Sequence, residues 1–192
     1  MKSKTFLPTL LFTLVAMLAF AVWALGSGLY TSDAGMYTLC AVVFFGFGGL
    51  SLIPGSGISD RGKVVKFCLL FALGFIGYAV IWSIAWFTFR DTFGEIIGSF
   101  VGLLVLVAVM RKVSQSSYDL ITATAIVFLW HTLGYYLGGL AYQSLQNLGP
   151  LAVALPLDKG TITTLARFSW GLFYGLGLGY GLVRTLHAST RN

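Results

Sequence analysis

The side chains of this sequence that could do chemistry are few, and they stand in or beside long apolar stretches. Glu95 lies about one turn inside such a stretch, Asp91 lies one turn before it on the same helical face, and Arg90 is adjacent. An ionisable side chain at the centre of a membrane span costs about 2.5–3.5 kcal/mol on insertion scales, so each one needs a partner or a use. The pattern fits either a solvated interfacial cluster in which Arg90 offsets the acids, or an outward-facing site for a cation or a polar solute.

His131 is the second candidate, near the middle of another apolar stretch, with Tyr135 and Tyr142 following at steps of four and seven on the same helical face. A lone histidine in such a place is most often a neutral, hydrogen-bonded packing residue. Because the ordinary pKa of imidazole lies close to physiological pH, a proton-coupled role is the alternative. The only other histidine, His187, falls at a different depth, so we expect no haem held by a histidine pair.

The motifs of the common enzyme chemistries are missing. There is no HExxH, no GxGD aspartate pair and no serine elbow with a histidine at matching depth. The run 55–63 lacks the Gly-Lys-Ser/Thr spacing of a phosphate loop, and Cys40 and Cys68 are expected at opposite ends of their segments, too far apart for a disulfide. We therefore expect no enzyme activity, no cofactor and no metal site.

The elements that must position these side chains are membrane helices. The chain has 192 residues, of which 57% are hydrophobic and 9% charged, whereas soluble domains carry about 45–50% and about 25%. Six apolar stretches come near the roughly 20 residues that a helix needs to cross a bilayer, at residues 6–25, 35–53, 65–87, 93–110, 120–145 and 165–186. The segment 148–157 holds Pro150 and Pro156, and it is too short and broken to span, so we interpret it as interfacial or re-entrant.

Charge distribution predicts how this single domain, residues 1–192, is oriented. If the amino terminus is cytoplasmic, nine of the 12 lysines and arginines fall on the inner side and three, Arg90, Lys159 and Arg167, on the outer side. The positive-inside rule then favours an all-α polytopic membrane protein with six spans and both termini cytoplasmic. We expect it in a bacterial cytoplasmic (inner) membrane. The net charge of +6 is dispersed along the chain, so no nucleic acid partner is expected.

Glycines recur at steps of four in the last three spans. Small residues at this spacing let helices approach closely in lipid, where no hydrophobic effect drives them together. Plain helix packing is the simplest interpretation. The alternatives are helices that slide or rock, as in a transporter, or packing against another subunit. The glycines concerned are Gly94, Gly98 and Gly102, then Gly134 and Gly138, and finally Gly171, Gly175 and Gly179.

Polar and aromatic side chains concentrate in the outer half of spans 4, 5 and 6. We expect an outward-facing polar cavity between these spans, covered by the loop 146–164, although aromatic residues at this depth also form the ordinary interfacial belt. The substrate-binding candidates are Arg90, Asp91, Glu95, His131, Tyr135, Tyr142, Arg167, Trp170 and Tyr174.

These patterns favour a small-solute membrane transporter or a substrate-binding membrane subunit. In size and orientation alone the chain is similar to the six-helix substrate-binding subunits of vitamin uptake systems, an architectural analogy without a shared motif. The alternatives are a non-catalytic subunit or assembly factor of a larger membrane complex, and an oligomeric channel. The expected partners are membrane lipids, a polar small-molecule solute, and further copies of the chain or a partner membrane subunit.

Overall fold

The computed structural model describes residues 3–114, 116–147 and 157–186, and the regular elements in these ranges are helices. Each predicted span falls within one of them. The segment 148–156, most of the predicted interfacial piece, lies outside the described residues, as do Lys2, His187 and Arg191. The helices are α1 (Ser3–Leu25), α2 (Asp33–Ser56), α3 (Arg61–Phe89), α4 (Thr92–Met110), α5 (Leu120–Gln146) and α6 (Lys159–Leu186).

Short polar side chains set where most of these helices begin, because they accept hydrogen bonds from the otherwise unpaired amides of the first turn. The side chains of Ser32, Asp60, Asp91, Asp119 and Asp158 each accept from the backbone N–H three residues later. The hydroxyl of Thr122 also donates to Asp119, and these hydrogen bonds lower the pKa of that carboxyl. Asp158 is held in the same way, and its pKa is lowered by hydrogen bonds from Thr161.

The helices form an up-and-down bundle in sequence order, and α6 returns beside α1. Gly171 of α6 faces Phe20 of α1, whereas Gly179 faces Phe12, so the two helices are antiparallel. Contacts between the other neighbouring helices show the same reversal. We call the end that holds Ser3 and Leu186 the proximal end, and the end that holds Leu25 and Lys159 the distal end.

The predicted glycine stripes lie against other helices of this same chain. A Cβ atom at Gly175, for example, would lie 2.8 Å from both the Cα atom of Thr13 and the Cβ atom of Ala16. Such contacts show that the glycines allow backbones to approach more closely than any side chain would permit. Gly94, Gly98 and Gly102 of α4 face α3, Gly171, Gly175 and Gly179 of α6 face α1, and Gly134 and Gly138 of α5 face α6.

The two halves of the bundle are filled differently. In the proximal half a continuous cluster of buried apolar side chains joins all six helices, with Phe12, Phe71, Leu106, Val127 and Leu178 among its members. The rings of Phe12 and Phe44 meet edge to face with centroids 5.5 Å apart. The distal half instead surrounds a cavity, so the tightly packed proximal half serves as its base.

The outer surface of the bundle is apolar. Large side chains such as Leu69, Phe87 and Leu129 are mostly exposed along the helices. Five of the described helices, α1 to α5, are long and apolar enough to cross a membrane. The chain therefore has the architecture of a helical, multi-pass membrane protein. Helix α6 falls outside this group because glycines, threonines, Arg167 and Arg184 reduce its apolar character.

Candidate functional site

A cavity of about 450 Å³ lies in the distal half of the bundle. Its walls are mainly aromatic, and Tyr37, which is 68% exposed, borders it, so the cavity reaches the surface. A volume of about 300–1,000 Å³ is typical of small-molecule sites. Its aromatic lining consists of Phe20, Trp23, Tyr37, Phe44, Phe45, Phe75, Tyr78, Trp82, Tyr135, Trp170 and Tyr174.

The cavity exists because α2 and α3 make their close contact in the proximal half only. There Gly48 and Gly49 of α2 let Phe71 of α3 approach, and a Cβ atom at Gly48 would lie 2.6 Å from its ring. In the distal half the facing positions, such as Met36 and Trp82, border the cavity instead. The cavity is therefore enclosed by α1, α2 and α3 on one side and by α5 and α6 on the other.

This position differs from the expected one between spans 4, 5 and 6. No residue of α4 lines the large cavity. Between α4 and α5 there is a pocket of about 10 Å³, bordered by Glu95, Ser99, His131 and Thr132. The glycine packing explains the difference. It turns the glycine face of α4 toward α3, and it brings α5 and α6 into backbone contact at Gly134 and Gly177, so spans 4, 5 and 6 do not surround a common space.

His131 is buried at the centre of the bundle, with 1% of its surface exposed. Its Nε2 atom lies 2.9 Å from the hydroxyl oxygen of Tyr78 on α3. The rings of Tyr174 and Tyr135 pack on it at centroid distances of 5.5 Å and 6.1 Å. Its other nitrogen, Nδ1, is buried and has no hydrogen-bond partner among the described residues.

Glu95 is half-buried between α4 and α5, and tyrosines hold its carboxylate. The hydroxyl of Tyr135 donates to Oε1 at 3.1 Å, and that of Tyr136 donates to Oε2 at 3.4 Å. Glu95 and His131 border the same small pocket but bond to different tyrosines. Nε2 of His131 is bonded to Tyr78 and Nδ1 has no partner among the described residues, so Glu95 and His131 form no direct hydrogen bond.

Arg90 and Asp91 shape the turn between α3 and α4 instead of facing the cavity. Arg90 is exposed, adopts φ 54°, and its backbone N–H closes α3 on the carbonyl of Trp86 at 2.8 Å. Asp91 accepts from the amide of Gly94 at 2.9 Å. Within the described part of the chain, Arg90 forms no ion pair with Asp91 or Glu95, so the expected charge-offset cluster is not what holds these carboxylates.

Arg167 supports the distal wall of the cavity from outside. Its Nη1 atom donates to the carbonyl of Trp23 at 2.7 Å, and its guanidinium lies 4.7 Å from the centre of the Trp23 ring system. That carbonyl belongs to the last turn of α1, so the cation satisfies a helix C-terminus. Tyr142 stacks on Trp23 at 6.0 Å, and Trp170 packs against both.

The structure thus divides the nine predicted site residues into groups. Tyr135, Trp170 and Tyr174 line the large cavity, and Tyr135 also borders the small pocket with Glu95 and His131. Arg167 contacts the lining residue Trp23, and Tyr142 contacts the lining residues Trp23 and Trp170. Arg90 and Asp91 lie at the distal surface.

Sequence reasoning missed the part of the cavity wall that α1, α2 and α3 provide. One pattern on α3 could have indicated it, because Phe71, Phe75, Tyr78 and Trp82 follow at steps of four, three and four. These steps place all four rings on one helical face. A row of aromatic residues on the inward face of a span, with tyrosine and tryptophan among them, can indicate an aromatic-lined cavity as well as a packed core.

The chemistry available at this site is binding by aromatic faces and by a few hydroxyls. Tyr78, Tyr135 and Tyr174 are among the lining residues, and the hydroxyls of Tyr78 and Tyr135 are hydrogen-bonded to His131 and Glu95. In the described part of the chain, no three His, Cys, Asp or Glu side chains come together as metal ligands. Both cysteines are free thiols, and Cys40 donates to the carbonyl of Ala19 at 3.2 Å.

Comparisons with models of known protein families, with curated proteins and with solved structures find no significant match.

Proposed function

We propose that this chain binds a small solute in the distal cavity, as a membrane transporter or as the substrate-binding membrane subunit of one. The observation that carries the proposal is the aromatic cavity of about 450 Å³, which opens at the surface above a packed base. Its aromatic walls suit a solute with a flat or apolar body, since the hydroxyls of the lining residues Tyr78 and Tyr135 are engaged by His131 and Glu95. The solute class is thus more apolar than the sequence led us to expect.

We further propose that α6 is a sixth span. It lies antiparallel beside α1, from the contact of Gly171 with Phe20 to that of Gly179 with Phe12. A helix alongside a spanning helix covers the same thickness of bilayer, and it needs less apolar character when its neighbours bury it. Twelve of its residues are buried, including Ile162 near one end and Leu186 at the other.

The proposed orientation places the proximal end, and hence both termini, in the cytoplasm. Seven of the described lysines and arginines lie at the proximal end, and three, Arg90, Lys159 and Arg167, lie at the distal end. The positive-inside rule favours this arrangement. A bacterial cytoplasmic membrane stays a prediction. The seven proximal cations are Lys4, Arg61, Lys63, Lys66, Arg111, Lys112 and Arg184.

The binding proposal is tested by filling the cavity. Ala79 lines it on α3, so Ala79→Phe places a ring in the space that the solute needs. The purified chain is heated with a panel of neutral aromatic, cationic and anionic small solutes. A solute at 100 times its Kd stabilises the folded state by about 2.7 kcal/mol, which corresponds to a rise in Tm of roughly 5–10 °C for a chain of this size. We expect Ala79→Phe to abolish that rise.

Ala125→Phe is the matched control, because Ala125 lies exposed on α5 away from the cavity. This variant should keep the full response of the wild-type chain. If no solute shifts the Tm of the wild-type chain, or if both variants respond equally, the cavity does not bind solute. The alternative of a non-catalytic subunit of a larger membrane complex would then be favoured.

A further inference from the structure

The small pocket between α4 and α5 is separate from the large cavity and differs from it in lining. Its volume of about 10 Å³ is close to what a single water molecule requires. Glu95 and Ser99 border it from α4, and His131 and Thr132 border it from α5. A pocket of this size with several polar neighbours satisfies both conditions for an ordered buried water.

His131 is the group at this pocket that most needs a partner. The residue is 1% exposed, and Nε2 is engaged by the hydroxyl of Tyr78 at 2.9 Å. Nδ1 is buried without a hydrogen-bond partner in the described part of the chain. Buried polar atoms in proteins are hydrogen-bonded with few exceptions, and ordered water is the usual partner where no protein group reaches.

Glu95 supplies the other side of the pocket. Each of its carboxylate oxygens accepts one tyrosine hydroxyl, from Tyr135 and Tyr136, and each oxygen has capacity for a further donor. The titratable groups that face His131 are Tyr78 from α3, Glu95 from α4, Tyr174 from α6 and Tyr135 from its own helix. Among the described residues, no lysine or arginine borders the pocket.

We propose that one water molecule in this pocket joins Glu95 to Nδ1 of His131, so that Glu95, the water, His131 and Tyr78 form a proton relay. Its distal end is the half-buried carboxylate, and its inner end is the hydroxyl of Tyr78, a residue that lines the large cavity. When a proton enters from the cavity, the hydroxyl of Tyr78 takes it up and gives its own proton to Nε2. The imidazole then releases its Nδ1 proton to the water, and the water passes a proton to the carboxylate of Glu95. Tyr78, His131 and the water keep their charge, and only the donor in the cavity and Glu95 change theirs.

The relay gives the large cavity a connection to a titratable carboxylate. A solute that hydrogen-bonds to Tyr78 would change the proton affinity of the relay, and a proton on the relay would change the affinity for the solute by the same factor. This consequence rests on the proposed function, whereas the relay itself does not. A test without solute therefore separates failure of the relay from failure of the proposed binding.

The test is nuclear magnetic resonance of the full chain in lipid nanodiscs, with ¹⁵N-labelled histidine. The chain has two histidines, and His131→Gln identifies which signals belong to His131. We expect the tautomer with the proton on Nδ1 to predominate, and this proton to show a cross-peak to water. Glu95→Gln replaces a charged acceptor with a neutral one, so the ratio of the two tautomers should fall about fivefold or more.

Asp91→Asn is the matched control, because it makes the same charge change one helical turn away, where the carboxylate caps α4 and does not border the pocket. It should leave the tautomer ratio unchanged. An equal ratio in the wild-type chain and in Glu95→Gln overturns the proposal. So does a wild-type His131 ring proton with no cross-peak to water, a result that needs no variant to fold.

Discussion

His131 shows what burial in an apolar bundle demands of a single polar side chain. Its position at the centre of a span was visible in the sequence, but the sequence did not show that Tyr78, 53 residues earlier, would supply its partner. Two helices that are not neighbours in sequence, α3 and α5, are thereby joined by one hydrogen bond.

We predict that Tyr78→Phe destabilises the folded chain by about 0.5–2 kcal/mol, since it leaves Nε2 of His131 unpartnered while keeping the ring. The measurement is the free energy of unfolding in detergent micelles. Tyr37→Phe is the control, because Tyr37 also lines the cavity but is largely exposed. Equal stability of the two variants would show that the bond between Tyr78 and His131 contributes nothing.

Glycine is the residue type that shapes the packing of whole helices in this bundle. On α5, Gly134 lies against the backbone of α6 at Phe173 and Gly177, whereas Gly139, five residues later, has open space around it. The step of four in the sequence selects Gly134 and Gly138 and leaves Gly139 out, and the contacts with α6 agree with that selection. The neighbouring helix is the reason why one glycine is required and the other is not.

We therefore predict opposite outcomes for the same substitution at two positions of α5. Gly134→Ala pushes a methyl group into the backbone of α6 and should destabilise the chain by about 1–3 kcal/mol. Gly139→Ala meets no neighbouring atom and should be neutral or stabilising by up to about 1 kcal/mol, because alanine favours the helix. Thermal unfolding of both variants checks this prediction. A similar loss of stability at both positions would contradict the prediction, because the contact of Gly134 with α6 would then not explain the loss.

At the scale of the whole molecule, α6 is the element on which the span count depends. Thr161 and Arg184 are exposed near its distal and proximal ends. We predict that, in intact cells and with Cys40 and Cys68 replaced by serine, a membrane-impermeant thiol reagent labels Thr161→Cys but not Arg184→Cys. Opening the cells should expose the second site.

Two loop positions provide the reference for this labelling experiment. Ser27 is exposed beyond the distal end of α1, and Ser59 is exposed between α2 and α3 at the proximal end. Ser27→Cys should react as Thr161→Cys does, and Ser59→Cys should be protected. Equal labelling at the two ends of α6 would contradict the sixth span, and labelling restricted to the proximal positions would reverse the proposed orientation.

The helices and their approximate ends follow from the sequence, because each depends on local features. Apolar length identifies a helix that could span a membrane, and a polar residue such as Asp119 or Ser32 supplies the cap that starts it. The glycine steps also indicate correctly where helices come close. What they do not indicate is which helix each glycine face meets. The glycines of α4 face α3 and those of α6 face α1, so spans 4, 5 and 6 do not surround the expected cavity.

The position of the cavity is decided by tertiary structure alone. It depends on how far α2 and α3 separate on the distal side of Gly48 and Gly49. It also depends on which aromatic rings of five helices line the resulting space. Glu95 and His131 were recognisable in the sequence as costly residues, since cost depends on burial in lipid. The sequence did not assign their hydrogen-bond partners, which are Tyr135, Tyr136 and Tyr78. Partners on different helices are set by the angle, depth and rotation of each helix. No local pattern of residues encodes these three quantities.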